Sequence, residues 1–167
     1  KLRPIPLLVK SKVQVAAGDG SSGSSTSSKC RVGVKIRSNP ENKQPLCRMS
    51  VIMSVPPDIR GESVKLSRRG GVWDGMKRIV AWQIEELAPG DLVEIQAQFE
   101  YLGNNSNGFN NNNGSDNKPL PKFPLLVRCD MEDSLLSDID LETDVEADCK
   151  PVRLDLTRSV RILHRKV

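Results

Sequence analysis

The sequence predicts an all-β sandwich, and three observations lead there. Apolar and polar residues alternate at period two through most of the chain, the pattern of half-buried strands. The alternating runs are short and are separated by clusters of Pro, Gly, Asn and Ser that favour turns. No stretch of helical length carries an apolar stripe at i, i+3 and i+4. At 167 residues the chain can build one good core or two small ones, and with aromatics at only 4% that core must be filled by Val, Leu and Ile.

The first run places Leu7, Val9, Val13 and Val15 on one face. The second, "CRVGVKIRSN", sets Cys30, Val32, Val34 and Ile36 against Arg31, Lys35 and Arg37. A third carries Cys47, Met49, Val51, Met53 and Val55 and stops at Pro56-Pro57, which cannot continue a hydrogen-bonded ladder. A short piece follows at Val64 and Leu66, and Gly70-Gly71 reads as a loop, because it lacks the G-x-x-x-x-G-K-[ST] context of a phosphate cradle. In "VAWQIEELAPGD", Val80, Trp82 and Ile84 face one way, and Pro89-Gly90 turns the chain into a returning strand. That strand has Val93, Ile95, Ala97 and Phe99 inside and Glu94, Gln96, Gln98 and Glu100 outside, so Trp82 is a core residue. Phe123, Leu125, Val127, Cys129 and Met131 form the next run. Ile139, Leu141 and Val145 follow, and then Val152, Leu154 and Leu156 lead to Val160 and Ile162.

Two tracts break the alternation: a Gly/Ser segment at 16–28 and an Asn-rich segment at 103–121. Both read as expanded, flexible strand connections, since lengthening a loop costs little. The sequons at Asn104 and Asn113 lie inside the Asn-rich tract, where chance matches are frequent. The apolar runs are too short to span a bilayer, and no signal peptide opens the chain. "KLRPIPL" reads as the interior of a longer protein.

The residues give little support to an enzyme. His164 is the single histidine and reads as structural, and neither G-x-S-x-G nor HExxH occurs. Cys30, Cys47, Cys129 and Cys149 are far apart with no C-x-x-C pair, which fits reduced, buried thiols in a cytosolic protein better than a metal site. No catalytic residue, metal or cofactor is expected.

Charge carries the sharper signal. Residues 1–69 hold fourteen Lys and Arg against four Asp and Glu, whereas residues 84–148 hold three against fifteen. The acidic run "SDIDLETDVEAD" puts Asp138, Asp140, Glu142, Asp144 and Glu146 on one face; without an EF-hand's glycine and loop, it reads as a solvated or partner-facing edge. In the second strand Arg31, Lys35 and Arg37 project from one face, with Lys29 before them and Lys43 and Arg48 after. Three readings stay open: an anionic lipid surface, to which each such cation contributes about 1 kcal/mol, an ordinary solvated face, or nucleic acid. No aromatic is interleaved to stack on bases, which counts against nucleic acid.

Four segments, in order, resemble the mu homology domain of clathrin-adaptor medium subunits, muniscins, stonins and the coatomer delta subunit: "IPLLV", "CRVGVKIRSNPENKQPLCRMSVIMSVPP", "IVAWQIEELAPGDLVEIQAQFEYL" and "KFPLLVRCDMEDSLLSDIDLE". Trp82, Ile84 and Gly90 form the most specific element, and "SLLSDIDLE" followed by "VRLDL" is most similar to the muniscin version. The resemblance implies an elongated, immunoglobulin-like β-sandwich with an inserted second β-subdomain, residues 1–117 forming most of the insert and 118–167 the last strands of the first subdomain. It implies a phosphoinositide site at Lys29, Arg31, Lys35, Arg37, Lys43 and Arg48, although Gly33 stands where a lysine is expected. "PVRLDLTRSV" has no tryptophan for a tyrosine-signal pocket, which favours the muniscin version. The function implied is a non-enzymatic endocytic adaptor on the cytosolic face of the plasma membrane, in clathrin-coated pits. Its implied partners are anionic lipid, scaffold proteins with acidic short motifs, the clathrin adaptor complex and cargo tails. A medium or delta coat subunit is the alternative within the family, and a nucleic-acid-binding β-domain the alternative outside it.

Overall fold

The computed structural model describes residues 5–16, 28–67, 70–101, 120–132, 144–147, 150–153 and 159–166. The described elements are all strands: β1 (Leu7–Ala16), β2 (Ser28–Ser38), β3 (Leu46–Ser54), β4 (Ile59–Leu66), β5 (Gly71–Asp74), β6 (Ile79–Leu87), β7 (Leu92–Tyr101), β8 (Leu125–Glu132), β9 (Asp144–Ala147), β10 (Lys150–Arg153) and β11 (Ser159–Lys166). A four-stranded sheet runs β1-β2-β7-β4, a five-stranded sheet runs β11-β8-β3-β6-β5, and β9 with β10 forms a separate pair; all the pairings are antiparallel.

Between the two large sheets lies one buried cluster, whose largest fully buried side chains include Trp82, Phe99, Ile36, Leu46 and Met49. The alternation in the sequence explains it: Cys30, Val32, Val34 and Ile36 of β2 point inward, as do Val93, Ile95, Ala97 and Phe99 of β7. Phe99 and Phe123 stack with ring centroids 5.8 Å apart, tying β7 to the segment that enters β8. Burial pushes the Cys30 thiol up to about 11, aided by nearby Asp58, and the Cys129 thiol up to about 12, aided by Asp130 and Cys47. Both are inert at neutral pH, since the thiolate is the reactive form.

The turn at Pro89-Gly90 does not make a hairpin. Asp91 N donates to Ala88 O at 3.1 Å and Gly90 has φ +86, the type II arrangement with Pro at its second position and Gly at its third. The strands it joins lie in opposite sheets: β6 pairs with β3 and β5, and β7 with β2 and β4. Each buries a row of bulky side chains, and facing the two rows across the core covers both. Prolines, which donate no ladder hydrogen bond, also mark the crossings at Pro40 and Pro45, at Pro56 and Pro57, and at Pro121 and Pro124.

Two expectations are corrected. Gly70-Gly71 is not simply a loop: Gly70 turns at φ +85, and Gly71 opens β5, too short a strand for alternation to reveal. Cys47 is not in phase with Met49. Arg48 adopts φ +50 at a register shift between Cys47 and Ser50, so the buried residue before Met49 is Leu46, and Cys47 is only half-buried. β8 lies between β11 and β3 in the five-stranded sheet. Val127 and Cys129 complete the same core. Most of the acidic run and both sequons fall outside the described residues, as do Ile139, Leu141, Leu154 and Leu156, while β9 and β10 hold Val145 and Val152.

Candidate anion-binding face

The outer face of the four-stranded sheet gathers cations from several strands. Antiparallel register sets five rungs across β1, β2 and β7: Leu8, Arg37 and Leu92; Lys10, Lys35 and Glu94; Lys12, Gly33 and Gln96; Gln14, Arg31 and Gln98; Ala16, Lys29 and Glu100. β4 extends the last two with Lys65 and Arg60. All the cations in these rungs are exposed. Lys35 pairs with Glu94 at 2.5 Å and Arg60 with Glu100 at 3.3 Å. Such solvent-exposed pairs hold by about 0–1 kcal/mol, so an incoming anion displaces them cheaply. Lys10, Lys12, Lys29, Arg31 and Arg37 have no acidic partner among the described residues.

Gly33 shapes the middle of the face. It carries no side chain on the outward side, and a Cβ built there would meet nothing within 4 Å. The result is an open hollow of about 480 Å³ rimmed by Lys10, Lys12, Arg31 and Lys35, with Gln96 and Glu94 opposite. A second hollow of about 510 Å³ continues past Arg31 to Lys29. Four cations around a concave, partly apolar floor suit an anion with a body, such as a phosphorylated headgroup, better than a bare ion.

The sequence-predicted set is thus brought together in part. Lys29, Arg31, Lys35 and Arg37 share the face, whereas Lys43 is exposed in the turn between β2 and β3. Arg48 lies in β3 of the other sheet and is committed there: its Nε donates to Asp130 Oδ2 at 3.1 Å and its Nη1 to Glu132 Oε1 at 2.8 Å. Arg161 Nε donates to the second oxygen of Asp130 at 3.2 Å. The hydrogen bonds from Arg48, then from Arg161, hold the Asp130 carboxyl below the ordinary carboxylate range. The stability this contributes is present at neutral pH and is lost as pH falls from the ordinary value through Asp130's depressed one. Arg48→Ala is therefore expected to destabilise the protein at neutral pH, with the gap to wild type narrowing in acid in paired denaturant titrations; a gap constant with pH contradicts this.

Lys10 and Lys12 are the additions that single-strand reasoning missed. Their signal is present, since both alternate with Leu7, Val9 and Val13, but only the pairing of β1 with β2 sets them beside Lys35 and Gly33. Trp82 and Ile84 are buried, as expected, and Gly90 makes the turn. His164 is half-buried on edge strand β11, opposite Val127.

No protein-family model matches the chain, and no curated protein sequence matches it. Among solved structures, the Fcho1 mu homology domain of Danio rerio with a bound Eps15 peptide aligns at a TM-score of 0.60 and 16% identity. The alignment covers 93% of this chain and 47% of that one, so the chain spans about half the length of its structural relative. The all-β architecture is thus of the mu homology kind, a likeness of fold. Two structures of a GH20 exo-β-N-acetylglucosaminidase from Vibrio harveyi align at a TM-score of 0.31 and 12% identity, over 86% of this chain and 17% of theirs, too low to define a shared fold.

Proposed function

We infer that this chain is a non-enzymatic, adaptor-type binding module of clathrin-mediated endocytosis that docks on phosphoinositide-bearing membrane through the outer face of β1, β2 and β7. The observation that carries this reading is the cationic hollow at Gly33, rimmed by Lys10, Lys12, Arg31 and Lys35. An unselected solvated face mixes charges of both signs, whereas here the acids on β1, β2 and β7 are Glu94 and Glu100, each beside a cation. The likeness to a domain solved with an Eps15 peptide supports a second role, the capture of scaffold peptides. Clathrin adaptor complex and cargo tails are the further partners of a muniscin-like module at coated pits on the cytosolic side of the plasma membrane.

Flotation with neutral vesicles that carry or lack a phosphoinositide tests the lipid role. Capture is expected only by the phosphoinositide vesicles and should weaken as salt shortens the Debye length below the physiological value of about 8 Å. Equal capture by neutral vesicles overturns the reading. Tight binding to single-stranded RNA at physiological salt, without vesicle capture, reassigns the face to nucleic acid.

A further inference from the structure

One end of the cationic face is apolar. Leu8 and Leu92 are 54% and 53% exposed and flank Arg37 in the end rung. With neighbouring strands about 4.8 Å apart, the two leucines stand about 10 Å from each other. Ile5, 78% exposed, is anchored at the same end by the Asn-containing turn that follows β2. Asn39 Nδ2 donates to Ile5 O at 3.0 Å, while Pro6 O accepts from Asn39 N at 2.9 Å and from Asn42 Nδ2 at 2.8 Å. These hydrogen bonds fix the backbone that leads into β1 at the rim of a polar face, where three large aliphatic side chains stand in solvent.

Charge decides what meets them. Glu41 and Asp91 are exposed at this end, and Arg37 and Lys43 balance them, so the tip is close to neutral while Lys10, Lys12, Arg31 and Lys29 make the shoulder behind it positive. A second copy of the chain would bring two such shoulders together and be repelled. An anionic bilayer instead offers headgroups to the cations and an acyl boundary to the aliphatics, the division of labour of interfacial anchors.

We propose that Ile5, Leu8 and Leu92 form a membrane-inserting tip, entering the acyl boundary of an anionic bilayer while the cationic rungs behind them lie on the headgroups. This rests on the lipid reading above and adds a contribution that salt does not screen. It also fixes the orientation of the module, with Ala16 of β1 and Ser28 of β2 at the strand ends away from the inserted end.

The test is vesicle partitioning of wild type and Leu8→Ser/Leu92→Ser at about 0.1 M and about 0.5 M NaCl, where the Debye length falls from about 10 Å towards 3 Å. Phosphatidylcholine vesicles carrying a phosphoinositide are used. Since both leucines are already in solvent, the variant should melt like wild type. It is expected to lose about tenfold in partitioning at the higher salt, the scale set by burying two half-exposed leucines. Leu92→Trp is expected to raise retention at high salt, which provides a gain-of-function check. Equal partitioning of all three proteins at both salts overturns insertion and leaves the lipid reading standing. Absence of wild-type capture at either salt overturns both. A wild-type dimer that the serine variant lacks, with unchanged vesicle partitioning, assigns the tip to self-association and overturns insertion.

Discussion

Trp82→Ala is expected to destabilise the protein by about 3–5 kcal/mol, the range for removing a buried tryptophan. A domain of this size has only about 5–15 kcal/mol in all, so the variant stands near the edge of folding. Trp82 is among the largest fully buried side chains, opposite Val51 of β3 and Gly71 of β5 in the five-stranded sheet, with its ring directed into the core. A Cβ on Gly71 would come within 2.7 Å of Trp82 Nε1, so the indole occupies space that only a glycine leaves. Its Nε1 is buried with no acceptor among the described residues. Trp82→Phe removes that donor along with only part of the ring, and is expected to cost less than the alanine variant. Denaturant titration of the three proteins measures both differences, with Trp73 as the remaining fluorophore. An alanine variant as stable as wild type contradicts the core position of Trp82.

What the sequence made legible follows from what alternation encodes. A strand that buries one face shows it at period two, so the inward residues of β2, β6, β7 and β8 are readable one by one, and so is the cationic exterior of β2. Alternation does not say which strand pairs with which. Pro89-Gly90 reads equally well as the turn of a hairpin or as a crossing between sheets. Only the need to cover two bulky rows, Val80, Trp82 and Ile84 on one side and Val93, Ile95, Ala97 and Phe99 on the other, decides for the crossing.

Single residues that break phase are harder still. Arg48 reads as one more outward cation, yet at φ +50 it shifts the register and turns toward Asp130 and Glu132 of the neighbouring strand. Arg78, also at φ +50, reads as an ordinary surface charge. Its guanidinium instead gathers the carbonyls of Val55, Pro56 and Ile59 at 3.3, 2.8 and 2.6 Å, and so holds the crossing from β3 to β4. Trp73 carries no strong phase in a four-residue strand, but it lies where a side chain on Gly61 of the opposite sheet would have to be. In each case the partner is remote in sequence, so the local pattern holds no trace of it. The candidate site divides in the same way. The β2 cations are visible alone, whereas the Gly33 hollow, which on one strand reads as a missing lysine, exists only once Lys10 and Lys12 are set beside it.

Lys12→Glu/Arg31→Glu/Arg37→Glu is expected to abolish capture by phosphoinositide vesicles. The three residues are exposed, lie in the first, third and fourth rungs and have no acidic partner among the described residues, so reversing them breaks no ion pair among those residues. Each reversal changes the charge by two, and at about 1 kcal/mol per charge near an anionic surface the triple change approaches 6 kcal/mol in dilute salt. Screening over about 8 Å at physiological ionic strength trims this, and a loss of at least about a hundredfold remains. Bulk charge is separated from site by a matched control, Lys122→Glu/Arg128→Glu/Arg165→Glu, which changes net charge equally at exposed positions outside β1, β2, β4 and β7. If position matters, the control keeps most of its capture while the face variant keeps none, and both melt within a few degrees of wild type. Equal losses in the two variants mean that attraction is a property of total charge, and the face formed by β1, β2 and β7 then has no special claim on lipid. A face variant that still floats like wild type removes the electrostatic basis of docking on this face altogether.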